Sequence, residues 1–147
     1  MRFPVDYPWI GENRRFYVCC AEDADDAATE RIEKTSGRVI RCKSANGALD
    51  VNNVVTRLAD NGISNLLIEG GGHVLTSFIE NNNWDAMHVF ISSAFFGEDG
   101  VSLYRNRSGF ENADAISVDT QQIGDDFLLR YVNRTTMDKL LERLSRE

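Results

Sequence analysis

The sequence predicts an α/β fold on a mixed sheet, and three observations carry this. In the first two thirds, short apolar runs alternate with segments whose apolar residues recur at helical spacing, as in parallel strands covered on both faces by helices. In the last third, longer strand-like runs separated by turn residues point to antiparallel pairing. The chain has 147 residues, 42% hydrophobic and 27% charged, a normal size and composition for one globular domain.

The elements follow in order. Met1–Arg14 holds both prolines, Pro4 and Pro8, and reads as an irregular arm. Phe16–Cys20 is a short apolar run, a buried strand. Asp23 caps a helix bearing Ala24, Ala27, Ala28 and Ile32, which ends at Ser36-Gly37. Arg38–Cys42 is a second strand. Asp50 caps a helix with Val51, Val54, Val55 and Leu58 on one face, ended by Asn61-Gly62. Leu66–Ile68 is a third apolar strand leading into Glu69-Gly70-Gly71-Gly72. A helix with Val74, Leu75, Phe78 and Ile79 on one face follows and stops at Asn81–Asn83. Met87–Phe96, Ala115–Val118 and Phe127–Val132 are strands, the last two joined by a Gly124-Asp125 turn. Thr135 and Asp138 open a final helix over 135–147, with Met137, Leu140, Leu141 and Leu144 as an apolar stripe.

Composition excludes several classes. A net charge of −7 does not fit a nucleic-acid footprint, which needs a basic stripe. No apolar run approaches the roughly 20 residues that span a bilayer, and the first residues lack the apolar core of a signal peptide. Cys19, Cys20 and Cys42 have no metal-ligand spacing, and three is an odd number for a disulfide framework. They read as free thiols in the reducing cytoplasm. Only two histidines are present, so no metal cluster is expected.

The informative segment is Leu66–Thr76. Three consecutive glycines cost conformational entropy, which makes sense where another molecule approaches the backbone or the turn needs unusual dihedrals. The first N–H groups of the following helix have no intrahelical partners, and the positive end of its dipole lies behind them. A pyrophosphate fits there; a plain strand-to-helix turn is the competing reading, since neither GxGxxG nor a Walker A is present. Glu69, at the carboxyl end of a strand where α/β sheets bind ligands, can accept hydrogen bonds from sugar hydroxyls, or be a solvated acid. His73 is a phosphate donor or an idle surface histidine, and His88 a half-buried core residue. Gly97–Gly100 is a cofactor-flanking loop or an ordinary strand-end turn.

These residues resemble the C-terminal reductase domain of the bifunctional riboflavin-biosynthesis deaminase/reductase. The resemblance rests on Glu69-Gly70-Gly71, the helix ending Phe78-Ile79-Glu80, Trp84-Asp85, the Met87–Ile91 strand, Phe95–Gly100, and the Gly124–Tyr131 hairpin. Arg2-Phe3-Pro4 is similar to an arm near the middle of that domain. The glycine turn is also similar to that of dihydrofolate reductase.

The resemblance implies a three-layer α/β sandwich of dihydrofolate-reductase type with a mixed, mainly parallel sheet. It implies one partial reductase domain over 1–147, lacking the N-terminal part that in the family carries a lysine strand. It implies NADPH over Gly70, Gly71, Gly72, His73, Val74, Leu75 and Thr76, with Glu69 on the substrate's ribose. A cis Gly70–Gly71 peptide is a further expectation. The reaction implied is reduction of a 5-amino-6-(phosphoribosylamino)uracil-type substrate to its ribitylamino product. The shortened sheet implies an exposed edge and hence a homodimer. Arg2, Arg14 and Arg15 are possible contacts to the cofactor's 2′-phosphate or plain surface charges. Competing readings are a non-catalytic nucleotide-binding or assembly fragment, and a dihydrofolate-reductase-like enzyme with another substrate.

Overall fold

The computed structural model describes residues 15–95, 97, 100–105 and 115–146. The arm over 1–14, with Arg2 and Arg14, lies outside the described residues, as do Phe96, Glu98 and Asp99 of the expected loop. The chain divides into two compact units, Met1–Leu67 and Ile68–Glu147.

In the first unit, β1 (Phe16–Ala21) and β2 (Gly37–Cys42) pair in parallel, Cys19 opposite Ile40. They are joined by α1 (Asp26–Glu33). Its cap is Asp25, whose carboxylate accepts from the Ala28 N–H at 3.0 Å, two residues beyond the expected Asp23. The Arg41 guanidinium fixes this start, donating to the carbonyls of Glu22 and Ala24 and to Asp26. A short hairpin follows, β3 (Ser44–Ala45) with β4 (Ala48–Leu49), around Asn46-Gly47, both at positive φ as a type I′ turn requires.

α2 (Val51–Asp60) begins as the sequence predicts, with Asp50 accepting from the N–H groups of Asn52 and Asn53. It buries Val51 and Leu58, and Leu58 packs with Ile40 and Cys42. Ile40 and Cys42 alternate along β2 with Arg41, which meets Thr29 of α1. The two helices therefore cover opposite faces of the strand pair, a local three-layer arrangement.

The strand expected at Leu66–Ile68 is absent: 63–71 has no regular structure, and Leu67 is 81% exposed. A strand exists through its ladder, and no described strand pairs with this segment. Its apolar residues meet the composition of a buried strand but not its neighbours.

In the second unit, α3 (Gly72–Glu80) follows the glycines and ends at Asn81. β5 (Ala86–Ile91), β6 (Ala115–Ile123) and β7 (Asp126–Asn133) form an antiparallel sheet in the order β5-β7-β6. β5 is shorter than the expected Met87–Phe96, because beyond Ile91 the Ser93 N–H donates to the Asp126 carboxylate rather than to a strand. Gly124-Asp125 forms the two-residue turn, with Gly124 at φ 62°. α4 (Arg134–Leu144) is capped by Asn133, which is buried and accepts from the Thr135 N–H.

The α/β class holds, but the mainly parallel sheet does not. One described pair is parallel and the other two sheets are antiparallel. The parallel character inferred for Leu66–Ile68 fails with that strand. No described helix is long and apolar enough to cross a membrane.

Candidate functional site

The glycine turn sits at the N-terminus of α3. Gly71 is the N-cap, with φ −72° and ψ 167°, an extended conformation open to any residue. The peptide bonds are all trans among the described residues, so the cis Gly70–Gly71 expectation is corrected. The extended backbone at Gly71 turns the chain into α3 without it.

The three glycines do different things. A Cβ on Gly72 would run into the Ser102 carbonyl oxygen and come within 3.1 Å of the Leu103 carbonyl oxygen and Arg105 Cγ. Gly72 is therefore glycine because the chain at 102–105 crosses it. A Cβ on Gly70 would make ordinary contact with Val74, and one on Gly71 would meet nothing within 4 Å. Gly71 thus leaves open space beside the helix end.

The helix end has no side-chain cap. The N–H groups of Val74 and Leu75 turn inward to the Gly71 carbonyl, at 3.0 and 3.3 Å. Of the first turn, Gly72 is buried under the chain at 102–105 and His73 is exposed, so fewer positions lie open than the seven residues read from the sequence. The Thr76 hydroxyl is also engaged: it is buried and accepts from the Arg105 N–H at 2.9 Å.

Arg105, which the sequence reading did not single out, brings a cation to this end. Its Nη1 lies 3.3 Å from His73 Nε2. A guanidinium only donates, so Nε2 accepts and the His73 proton belongs on Nδ1. Glu69 is exposed, two residues before the N-cap. An uncapped helix N-terminus, an open glycine and an arginine suit a diphosphate, with a carboxylate nearby for hydroxyl groups.

The other candidates lie elsewhere. His88 is exposed on β5, opposite Arg130 of β7, and is no core residue. Arg130 is itself paired with Asp119 and Gln121 of β6. Arg15 is exposed ahead of β1. In the first unit a groove of about 540 Å³ is lined by Asp26, Glu30, Glu33, Arg41, Arg57 and Asn61 among others, and holds none of the motif residues.

All three cysteines are free. Burial and the neighbouring Cys42 push the Cys19 thiol up to about 11, and burial also raises Cys20 and Cys42. These are packing thiols, poor nucleophiles near neutral pH. Among the described residues, no group of three or more His, Cys, Asp or Glu is placed to hold a metal ion.

Comparison with known proteins identifies the family. The family model of the RibD C-terminal domain matches residues 2–129. The riboflavin biosynthesis protein RibD of Actinobacillus pleuropneumoniae is 26% identical over 137 residues, covering 90% of this chain and 36% of that protein. Acinetobacter baumannii RibD is similar in fold, with a TM-score of 0.54 at 13% identity over 79% of this chain and 36% of that one. A Thermotoga maritima diaminohydroxyphosphoribosylaminopyrimidine deaminase/5-amino-6-(5-phosphoribosylamino)uracil reductase gives a TM-score of 0.53 at 18% identity, covering 84% of this chain and 38% of that one. The chain thus spans little more than a third of the length of these relatives. With the match running over most of its length, the chain belongs to the RibD C-terminal domain family.

Proposed function

We propose that this chain is an NADPH-dependent reductase that converts a 5-amino-6-(phosphoribosylamino)uracil-type substrate to its ribitylamino product in riboflavin biosynthesis. The observation that carries this reading is the juxtaposition of Glu69 with the uncapped N-terminus of α3 in a chain of this family. The residues fit a dinucleotide's diphosphate, since the helix end is open beside Gly71 and carries the Arg105 guanidinium. Bound there, NADPH supplies a hydride for C1 of the substrate's ribose in its ring-opened imine form.

The chain's own residues bind and orient. The exposed start of α3 at Gly71 and His73 holds one phosphate group, and the helix dipole favours its charge. Val74, Leu75 and Thr76 shape the turn from inside, through the Gly71 carbonyl and Arg105. Glu69 accepts hydrogen bonds from the ribose hydroxyls and so sets the sugar's position for hydride addition. The same reading carries one reductase domain over 1–147, a cytoplasmic location that suits the three free thiols, and a homodimer. Sedimentation at micromolar concentration tests the dimer, and a monomeric mass contradicts it.

Activity is tested by incubating the purified chain with NADPH and the substrate and following loss of NADPH absorbance. Turnover is expected, and Glu69→Gln is expected to lower kcat/KM by about 10–100-fold, the worth of a charged hydrogen bond, with NADPH affinity unchanged. Turnover indifferent to Glu69→Gln contradicts the role of Glu69. NADPH binding without turnover contradicts the reductase reading and leaves a nucleotide-binding module.

A further inference from the structure

The sequence holds two Asn-Gly pairs, Asn46-Gly47 and Asn61-Gly62. Asparagine is a thermolabile residue, and a glycine after it leaves the backbone nitrogen open to its side chain because no Cβ shields it. All four residues are exposed, so water reaches both pairs. They differ in what holds them.

Asn61 is the C-cap of α2, and its side-chain amide donates to the Arg57 carbonyl at 2.8 Å. The Gly62 N–H donates to the Ala59 carbonyl at 2.9 Å. The side chain and the nitrogen that would attack it are both tied to the last turn of the helix. Asn46-Gly47 is the tip of the β3–β4 hairpin. The ladder there ends at the Ala45–Ala48 pair, and the two turn residues stand outside it at φ 54° and 77°. Among the described residues no hydrogen bond engages the Asn46 side chain or the Gly47 N–H. A Cβ built on Gly47 would meet nothing within 4 Å.

We propose that Asn46 is a site of spontaneous deamidation, and that Asn61 is protected from the same reaction by its hydrogen bonds. The Gly47 nitrogen attacks Asn46 Cγ and gives up its proton. The Cγ–Nδ2 bond breaks and ammonia leaves, closing a succinimide ring. Water then opens one of the two ring C–N bonds, leaving aspartate or isoaspartate. Either product adds a negative charge to a chain already at −7. Isoaspartate also lengthens the backbone by a carbon atom, which a two-residue turn absorbs only by loosening the Ala45–Ala48 pair.

The test is incubation of the full chain in mildly alkaline buffer and, in parallel, in denaturing urea, followed by digestion and mass spectrometry of the peptides holding Asn46 and Asn61. In buffer Asn46 is expected to convert about tenfold faster than Asn61 or more, the worth of the two hydrogen bonds that must break at Asn61-Gly62, with both aspartate and isoaspartate as products. In urea, where neither turn is formed, the two rates are expected to converge. Equal rates in buffer, or faster conversion at Asn61, overturn the proposal. Conversion of Asn46 in urea but not in buffer also overturns it, by showing that the hairpin itself protects the residue. Rates that stay equally far apart in urea assign the difference to neighbouring sequence and overturn the role of the hydrogen bonds.

Discussion

The two units divide labour unevenly. Among the described residues the first contains almost all of the buried apolar ones: Val18, Cys20, Ile32, Ile40, Cys42, Val51 and Leu58. Among the described residues the second buries one large hydrophobic residue, Leu128, and leaves Val74, Phe90, Phe95, Leu140, Leu141 and Leu144 among those exposed. Yet the second unit holds the glycine turn, Glu69 and Arg105. Its helix α3 has no side-chain cap, whereas α1 and α2 each have an aspartate. The features that would stabilise a helix end are missing where a ligand is proposed to supply them, and present where none is. Binding elements are drawn from the less stable end of a structure for this reason.

The largest expected effect lies in the first unit. Ile32 is fully buried, and Ile32→Ala is expected to cost about 2–5 kcal/mol in urea unfolding. Leu140→Ala, at a residue 48% exposed, is expected to cost less than about 1 kcal/mol. Equal costs would erase the contrast between the units. Next comes the glycine pair. Gly72→Ala pushes a methyl into the Ser102 carbonyl and is expected to cost about 1–3 kcal/mol. Gly71→Ala, which meets open space, should stay within about 0.5 kcal/mol.

Smaller effects sharpen the comparison of helix ends. Asp50→Ala removes the α2 cap and is expected to cost about 1 kcal/mol in the same measurement. Gly71→Asp gives α3 the kind of cap the other helices have. It should raise stability by a few tenths of a kcal/mol, roughly the difference between glycine and aspartate caps, while weakening NADPH binding by setting a carboxylate against phosphate. A gain in stability with no loss of binding would separate the helix end from the cofactor.

A further effect is alkaline. The Cys19 thiol holds its proton more tightly in the fold, with its value raised from 9.0 to about 11. The unfolded thiol ionises first, so this contribution is complete below about pH 9 and is lost as pH rises toward about 11. Urea midpoints of wild type should fall relative to Cys19→Ser across that window, and parallel curves would contradict the assignment.

Local chemistry was legible in the sequence; pairing was not. The Asp50 cap, the Asn61-Gly62 stop and the Gly124-Asp125 turn depend on residues a few positions apart, and each lies where the pattern puts it. Asp23 and Asp25 compete for one cap, and the structure uses the one nearer the helix. Asn46-Gly47 was a readable hairpin signal that the strand-and-helix alternation obscured. Leu66–Ile68 has the composition of a strand, but a strand needs a neighbour that composition does not reveal. Of the candidate site, Glu69 and the glycines stand out locally. Arg105 does not, because its place depends on a hydroxyl far away in sequence. The glycine run also suggested one role for three residues, whereas Gly72 answers to internal packing and Gly71 to open space.

The central claim is that the N-terminus of α3 holds a dinucleotide while Glu69 is left for substrate. Its most direct test is calorimetric titration of NADPH into the wild-type chain, Gly71→Val and Glu69→Ala. Saturable binding to wild type, lost in Gly71→Val and retained in Glu69→Ala, is the predicted result. Binding that survives Gly71→Val, or no binding to wild type at millimolar cofactor, would contradict the account.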